Sequence, residues 1–228
     1  MKDVIDEPVF RNKVRVFRDR SHAGQLLAQK LEGHRGQKDT LVLAVPAGGV
    51  EVAVIVATKL MLPLDLAITR KIHVPWNREA GFGAISWDGQ VFLNEELVQR
   101  LNLSAQTIQE CIDNEKRTIA QRVKLFRANQ PFPDLKDKAV LVVDDGLASG
   151  FSMLATVRVL KKLMTKQIVV VVPTAPPSAI NLLLPYVEQI VCLNIRVFPT
   201  FAVADAYQNW YDLSDQDVLH LLKQHSKA

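Results

Sequence analysis

Cysteine is scarce: only Cys111 and Cys192 occur in 228 residues, far apart and in no Cys-x-x-Cys or Cys/His group. That excludes a disulfide framework and a cysteine-based structural zinc site. Long hydrophobic runs are also missing. Runs such as Ile168–Val172 and Leu182–Leu184 stop far short of the roughly 20 apolar residues of a membrane helix. Met1–Asp6 carries acids where a signal peptide carries bases, and no apolar stretch follows, so a soluble, cytoplasmic protein is expected. Ten glycines and eleven prolines are too few for a fibrous or low-complexity chain. The five histidines are scattered without metal-ligand spacing. An excess of one charge is lacking too, because 28 Lys and Arg oppose 24 Asp and Glu for a net charge of +4. A mild preference for anions follows, without the concentrated basic face of a nucleic-acid binder. The one dense basic cluster, Arg11, Lys13, Arg15, Arg18 and Arg20, reads as a solvated or substrate-facing edge. Neither a nucleic acid polymer nor a membrane is expected as partner, and a homo-oligomer is compatible with the composition.

What is present is a globular composition, 48% hydrophobic and 23% charged. Short apolar runs alternate with helical patterns, which points to an α/β fold built from βαβ units. Leu41–Val45, Leu64–Thr69, Ala139–Val143, Gln167–Val172 and Gln189–Leu193 read as strands. Their continuous hydrophobicity calls for a largely parallel, five-stranded core sheet covered by helices on both faces. Helices are expected at Ser21–Leu31, Val50–Leu60, Ser152–Met164 and Ser178–Tyr186, and a longer one after an N-cap at Ser104. In the third, Met153, Val157, Leu160 and Met164 form one face. The long helix carries a stripe of Ile108, Ile112, Ile119, Val123 and Phe126, which reads as core packing.

Two regions break the rhythm. Ile72–Phe92, with Pro75, Trp76, Gly81, Gly83 and Asp88-Gly89, reads as a long loop or excursion hairpin with its tip at Asp88-Gly89. Residues 198–228, aromatic at Phe198, Phe201, Tyr207, Trp210 and Tyr211 before a final helix near Asp215, read as a small cap. No repeat or linker divides the chain, so 1–228 is expected to be a single domain.

The sharpest chemical signal is Val140–Ser152. A buried strand delivers Asp144 and Asp145 to its carboxyl end, and the small-residue loop Gly146-Leu147-Ala148-Ser149-Gly150 then opens a helix at Phe151-Ser152. Backbone N–H groups and a helix N-terminus pointing into one space suit a phosphate. Ser149 and Ser152 add hydroxyl donors, and the carboxylates can accept from sugar hydroxyls. Two adjacent acids gain nothing from repelling each other unless a ligand or cation uses them. A second loop, Pro46-Ala47-Gly48-Gly49-Val50, joins a strand to a helix. Its glycines allow close backbone approach and unusual dihedrals.

The acid pair followed by a small-residue loop with a hydroxyl before Gly150 resembles the type I phosphoribosyltransferases, with Ser149 where that family usually has threonine. Phe17-Arg18-Asp19-Arg20, Ala23-Gly24, Leu27-Ala28, the Pro46–Val50 loop, Arg70-Lys71 and Glu79 with Gly83-Ala84 are similar to a narrower group, the bacterial and archaeal members of unassigned acceptor. Ala47 departs from it, standing where the group carries arginine.

The resemblance implies transfer of a 5-phosphoribosyl group from phosphoribosyl pyrophosphate (PRPP) to a nitrogen nucleophile such as a nucleobase. Asp144 and Asp145 would be catalytic and hold the ribose. Residues 146–150 and Ser152 would bind the 5-phosphate portion, and Ala47, Gly48, Arg70 and Lys71 the pyrophosphate. Mg²⁺ would be bound mainly through PRPP, without a dedicated protein metal site. The excursion matches the position of that family's mobile catalytic loop, with Glu79 a candidate for orienting the acceptor. A PRPP or nucleotide sensor that does not turn over is the alternative, and Ala47 is the feature that favours it.

Overall fold

The computed structural model describes residues 3–127, 130–198 and 200–225, with the backbone alone for residues 78–80. The strands β1 (Asp3–Ile5), β2 (Thr40–Ala44), β3 (Leu64–Leu66), β7 (Ala139–Val143), β8 (Gln167–Ala175) and β9 (Gln189–Ile195) form one parallel sheet in the order β1-β9-β8-β7-β2-β3. A sixth strand thus joins the five expected. It is β1, three residues at the sheet edge pairing with β9, too short to show a pattern of its own.

Burial on both faces follows from the alternation of side chains along each strand. Val42, Ala44, Leu141, Val143, Val169 and Val171 pack beneath α1 (Arg20–Lys30) and α2 (Gly48–Leu60). Leu41, Leu43, Val140, Val142, Val170 and Val172 face α5 (Phe151–Lys162) and α6 (Pro177–Leu183). The α1–α2 contact is close: a Cβ on Gly24 would lie 2.9 Å from Ile55 Cβ. Phe17, Ala23 and Leu27 are fully buried, so much of the N-terminal motif serves packing.

The excursion is not a long loop. Arg70–Val74 (β4), Asn77–Ile85 (β5) and Val91–Leu93 (β6) make a three-stranded antiparallel sheet, with one turn at Pro75-Trp76 and the other at the expected Asp88-Gly89. Ile72, Val74, Phe82 and Ile85 form a small core with Ile112 and Ile119 of α4 (Ala105–Arg127). Glycines that read as turn signals admit close neighbours instead: a Cβ on Gly83 would sit 2.6 Å from the Phe92 carbonyl oxygen. The short helix α3 (Glu95–Arg100), capped by Asn94, was not anticipated.

Other boundaries shift modestly. The strand expected to reach Thr69 ends at Leu66, and α5 stops at Lys162, leaving Met164 exposed at φ 55° while Met153, Val157 and Leu160 are buried. The segment expected to be helical to Tyr186 ends in a 3-10 turn at Leu184–Tyr186, where Pro185 lies. Ser104 caps α4 as expected, its hydroxyl accepting from the Thr107 N–H at 3.1 Å. The C-terminal aromatic segment leads into α7 (Asp215–His225). Among the described residues no helix is long and apolar enough to cross a membrane.

Candidate phosphate and sugar cleft

The strand order places a crevice between β2 and β7. After β2 the chain crosses through α2 to β3 on one side, and after β7 it crosses through α5 to β8 on the other. Ligands of open α/β sheets bind where the connections diverge in this way, outside the carboxyl ends of the strands. The register aligns Ala44 with Val143, so Pro46 and the acid pair leave the sheet side by side. Val45 N–H donates to the Val143 carbonyl at 2.9 Å, extending the pairing to the mouth of the crevice.

A cavity of about 280 Å³ opens there, lined by Pro46, Ala47, Arg70, Lys71, Asp144 and Ser152, with Val45, Thr69, His73 and Arg122 completing the wall. Both bordering helices, α2 and α5, begin without a side-chain cap; in α2 the Gly49 and Val50 N–H groups donate to the Val45 and Ala47 carbonyls, so the start of α5 is the better donor to a ligand. Gly150 starts α5 at φ 80°, a conformation suited to glycine. Ala148 and Ser149 are exposed, whereas Leu147 is buried and its N–H donates to the Thr174 carbonyl at 2.9 Å. The loop therefore offers fewer free N–H groups than the full run 146–150 suggested. Gly146 faces the cap: a Cβ there would lie 2.5 Å from Val203 Cγ1.

The two acids have different surroundings. Asp144 lines the cavity, and its Oδ1 accepts from the Asp145 N–H at 2.8 Å. Burial, reinforced by the neighbouring Asp145 carboxylate, pushes its pKa well above the ordinary range. Asp145 does not line the cavity. Its Oδ2 accepts from Arg20 Nε at 2.8 Å, with the side chains only 14% and 3% exposed respectively. Burial also raises the Asp145 pKa, opposed by Arg20. Removing one partner of such a pair costs on the order of 3–5 kcal/mol, because a buried charge is left alone.

Arg20 is thus not part of a solvated edge. Its guanidinium lies 4.0 Å from the Trp210 ring centroid and donates to the Tyr211 carbonyl at 2.8 Å. Tyr207 is buried against Phe17 with ring centroids 5.7 Å apart, and its hydroxyl donates to the Asp145 carbonyl at 2.7 Å. Phe201 packs over the buried Arg196 at 4.4 Å. These aromatics build the cap.

Gly48 and Gly49 do not have positive φ. They are small because the loop lies on the acids: a Cβ on Gly48 would meet Asp145 Oδ2 at 1.8 Å, and one on Gly49 would meet the Asp144 Cα at 2.8 Å. Arg70 and Lys71 open β4 rather than closing the preceding strand, because the backbone leaves the main sheet after Leu66. Arg70 Nε donates to Glu115 Oε2 of α4 at 2.9 Å, and the Lys71 stem packs over Gly81. The Glu79 side chain lies outside the described residues. Arg122 of α4 was missed by sequence reasoning because a lone cation on a charged helix face reads as solvated. It pairs with Asp215 at 2.8 Å while lining the cavity.

A neighbouring cavity of about 550 Å³ shares Arg70 and His73 and reaches Glu110, Cys111 and Asn114. Another, of about 560 Å³, lies between α4 and the turn after β5, lined by Trp87, Ile119, Val123 and Lys124, and none of the predicted site residues borders it. Among the described residues no group of three or more His, Cys, Asp or Glu gathers to hold a metal ion.

The phosphoribosyl transferase domain family model matches residues 88–202, just over half of the chain, and the chain belongs to that family. The matched span contains the acid pair and its loop but not Pro46–Val50 or Arg70-Lys71. Two Mycobacterium tuberculosis proteins, provisionally named phosphoribosyl transferases Rv0571c (strain ATCC 25618 / H37Rv) and MT0597 (strain CDC 1551 / Oshkosh), are each 34% identical over 209 residues. The match covers 92% of this chain and 47% of each relative, so the chain spans about half the length of the curated relatives it matches. The crystal structure of TT1426 from Thermus thermophilus is similar with a TM-score of 0.73 and 32% identity, covering 91% of this chain and 98% of that one.

Proposed function

We propose that this domain transfers a 5-phosphoribosyl group from PRPP to a nitrogen nucleophile, a nucleobase being the expected acceptor, and releases pyrophosphate. The observation that carries this reading is the meeting of Asp144, Ser152, Ala47, Arg70 and Lys71 on one cavity at the β2–β7 crevice. In it, the 5-phosphate lies against Ala148–Ser152 at the uncapped start of α5, and Asp144 accepts from a ribose hydroxyl. Pyrophosphate lies toward Pro46-Ala47, with Arg70, Lys71 and Arg122 as its cations. Arginine offers paired donors to such an anion and lysine a compact charge.

The anomeric carbon gains positive character as pyrophosphate departs. Catalysis therefore consists mainly of holding the sugar in place and stabilising the leaving charge. The donor set fits Mg²⁺ carried by the substrate: Asp144 is the one carboxylate among the residues lining the cavity, and this ion favours substrate oxygens and water over an all-protein cage. Bound with PRPP, Mg²⁺ neutralises charge on the leaving pyrophosphate.

The test is a panel of purines, pyrimidines and other nitrogen nucleophiles with PRPP and Mg²⁺, read by pyrophosphate release. Release with one acceptor class supports the reading. The sensor reading rests on Ala47, which lines the cavity where the resembling group carries arginine. It is supported if PRPP binds tightly and no acceptor turns over.

A further inference from the structure

We propose that the acid pair is divided in function. Asp144 alone faces the sugar, and Asp145 is a positioning residue that, through Arg20, ties the pyrophosphate loop and the aromatic C-terminal segment to the back of the cleft. This rests on the phosphoribosyl reading above and adds a division that the adjacency of the two acids conceals.

The geometry supplies each part. Asp144 lines the cavity and Asp145 does not. The Asp145 carboxylate is covered on one side by Gly48, where an added Cβ would fall 1.8 Å from Oδ2. On the other it is held by Arg20 at 2.8 Å. Arg20 has little freedom, because one donor serves Asp145, another serves the Tyr211 carbonyl, and the guanidinium faces Trp210.

The same segment is fixed twice more. Tyr207 donates to the Asp145 carbonyl at 2.7 Å, and Tyr211 donates to Glu51 Oε2 on the first turn of α2 at 2.7 Å. Three stretches distant in sequence therefore converge on Asp145 at the end of β7: the start of α1, the Pro46–Val50 loop with α2, and residues 207–211. Turning Asp145 toward a ribose would leave Arg20 as an uncompensated buried cation. Asp144 has no ion-pair partner to abandon among the described residues: its side chain accepts from the adjoining Asp145 N–H and shares a hydrogen bond with the Asp145 carboxyl group, and no cation holds it.

The test uses the 228-residue chain and calorimetric titration with ribose 5-phosphate and 2,3-dideoxyribose 5-phosphate, which lacks the 2- and 3-hydroxyls. The ratio of their dissociation constants reads hydroxyl recognition, and a loss of fold or loop order alone does not move it. The wild type is expected to prefer the ribose compound by about tenfold or more, as hydrogen bonds to a charged group imply. Asp144→Asn is expected to bring the ratio near one. Arg20→Lys and Asp145→Asn are expected to weaken both ligands severalfold while the ratio stays within about threefold of wild type. Arg20→Met with Asp145→Asn removes both charges and serves if the single variants fail to fold; its ratio is also expected to hold.

A ratio collapsing in folded Asp145→Asn or in the double variant overturns the division. Wild-type affinities in both Arg20→Lys and the double variant overturn the positioning role. A wild-type ratio near one, with both ligands bound, overturns the sugar-facing role of Asp144. No binding of either ligand by the wild type overturns the phosphoribosyl reading itself.

Discussion

Gly48→Ala adds one methyl group at the point where the Pro46–Val50 loop lies on the acid pair. The added carbon would be 1.8 Å from Asp145 Oδ2, 2.4 Å from its Cγ and 3.0 Å from Oδ1, inside any permissible contact. The carboxylate is not a flexible tip, because Arg20 holds it and both side chains are largely buried. The loop or the ion pair must therefore shift. Overpacking of this kind costs typically about 1–3 kcal/mol, and the immobile neighbour places Gly48 at the upper end, about 3 kcal/mol. Replacing glycine by alanine in a helix returns up to about 1 kcal/mol, leaving a net loss of about 2 kcal/mol. For a chain of this size that lowers Tm by roughly 4–8 °C. Thermal unfolding followed by circular dichroism measures it, with Gly33→Ala as control, since a Cβ at Gly33 meets nothing within 4 Å. A folded Gly48→Ala protein melting with the wild type would refute the packing of this loop on Asp145.

Asp144 gives a pH prediction. Burial raises its pKa in the folded chain, so the folded state holds the proton more strongly than the unfolded state. Stability from this group is then present at low pH and is lost as pH rises above the ordinary carboxylate value of about 4. Asp144→Asn is expected to stabilise the free protein at neutral pH, with the gain shrinking toward pH of about 4; urea unfolding at several pH values checks this, and a gain independent of pH would contradict it. Arg70→Ala is expected to weaken pyrophosphate binding by about tenfold or more, the scale of a charged hydrogen bond, measured by calorimetry. Ala47→Arg, if folded, is expected to tighten pyrophosphate by adding a paired donor to the cavity wall. Unchanged or lower affinity would withdraw the pyrophosphate role from Pro46–Val50.

Much of the main sheet was legible because fully buried strands leave unbroken apolar runs, as at Val140–Val143 and Ile168–Val172, both entirely buried. The acid pair and its loop were legible because two carboxylates at a buried strand's end conflict with packing unless they are used. What escaped notice depends on partners remote in sequence. The edge strand β1 is defined by β9, and Arg20 meets Asp145 from 125 residues away. The antiparallel sheet was obscured because Pro75, Gly81 and Gly83 signal turns locally, while Gly83 is in fact required by close contact with the strand alongside. Nothing local distinguishes Arg122 from the other cations of its helix, and only the fold brings it to the cavity wall.

The central claim is that the cavity at the β2–β7 crevice is a PRPP site held by Asp144. Calorimetric titration of PRPP with Mg²⁺ into the wild type and Asp144→Ala, each first shown to be folded, tests it most directly. Saturable binding of one PRPP per chain, weakened about tenfold or more in Asp144→Ala, is the expected result. No binding by the wild type, or equal affinity in the two proteins, would contradict the account.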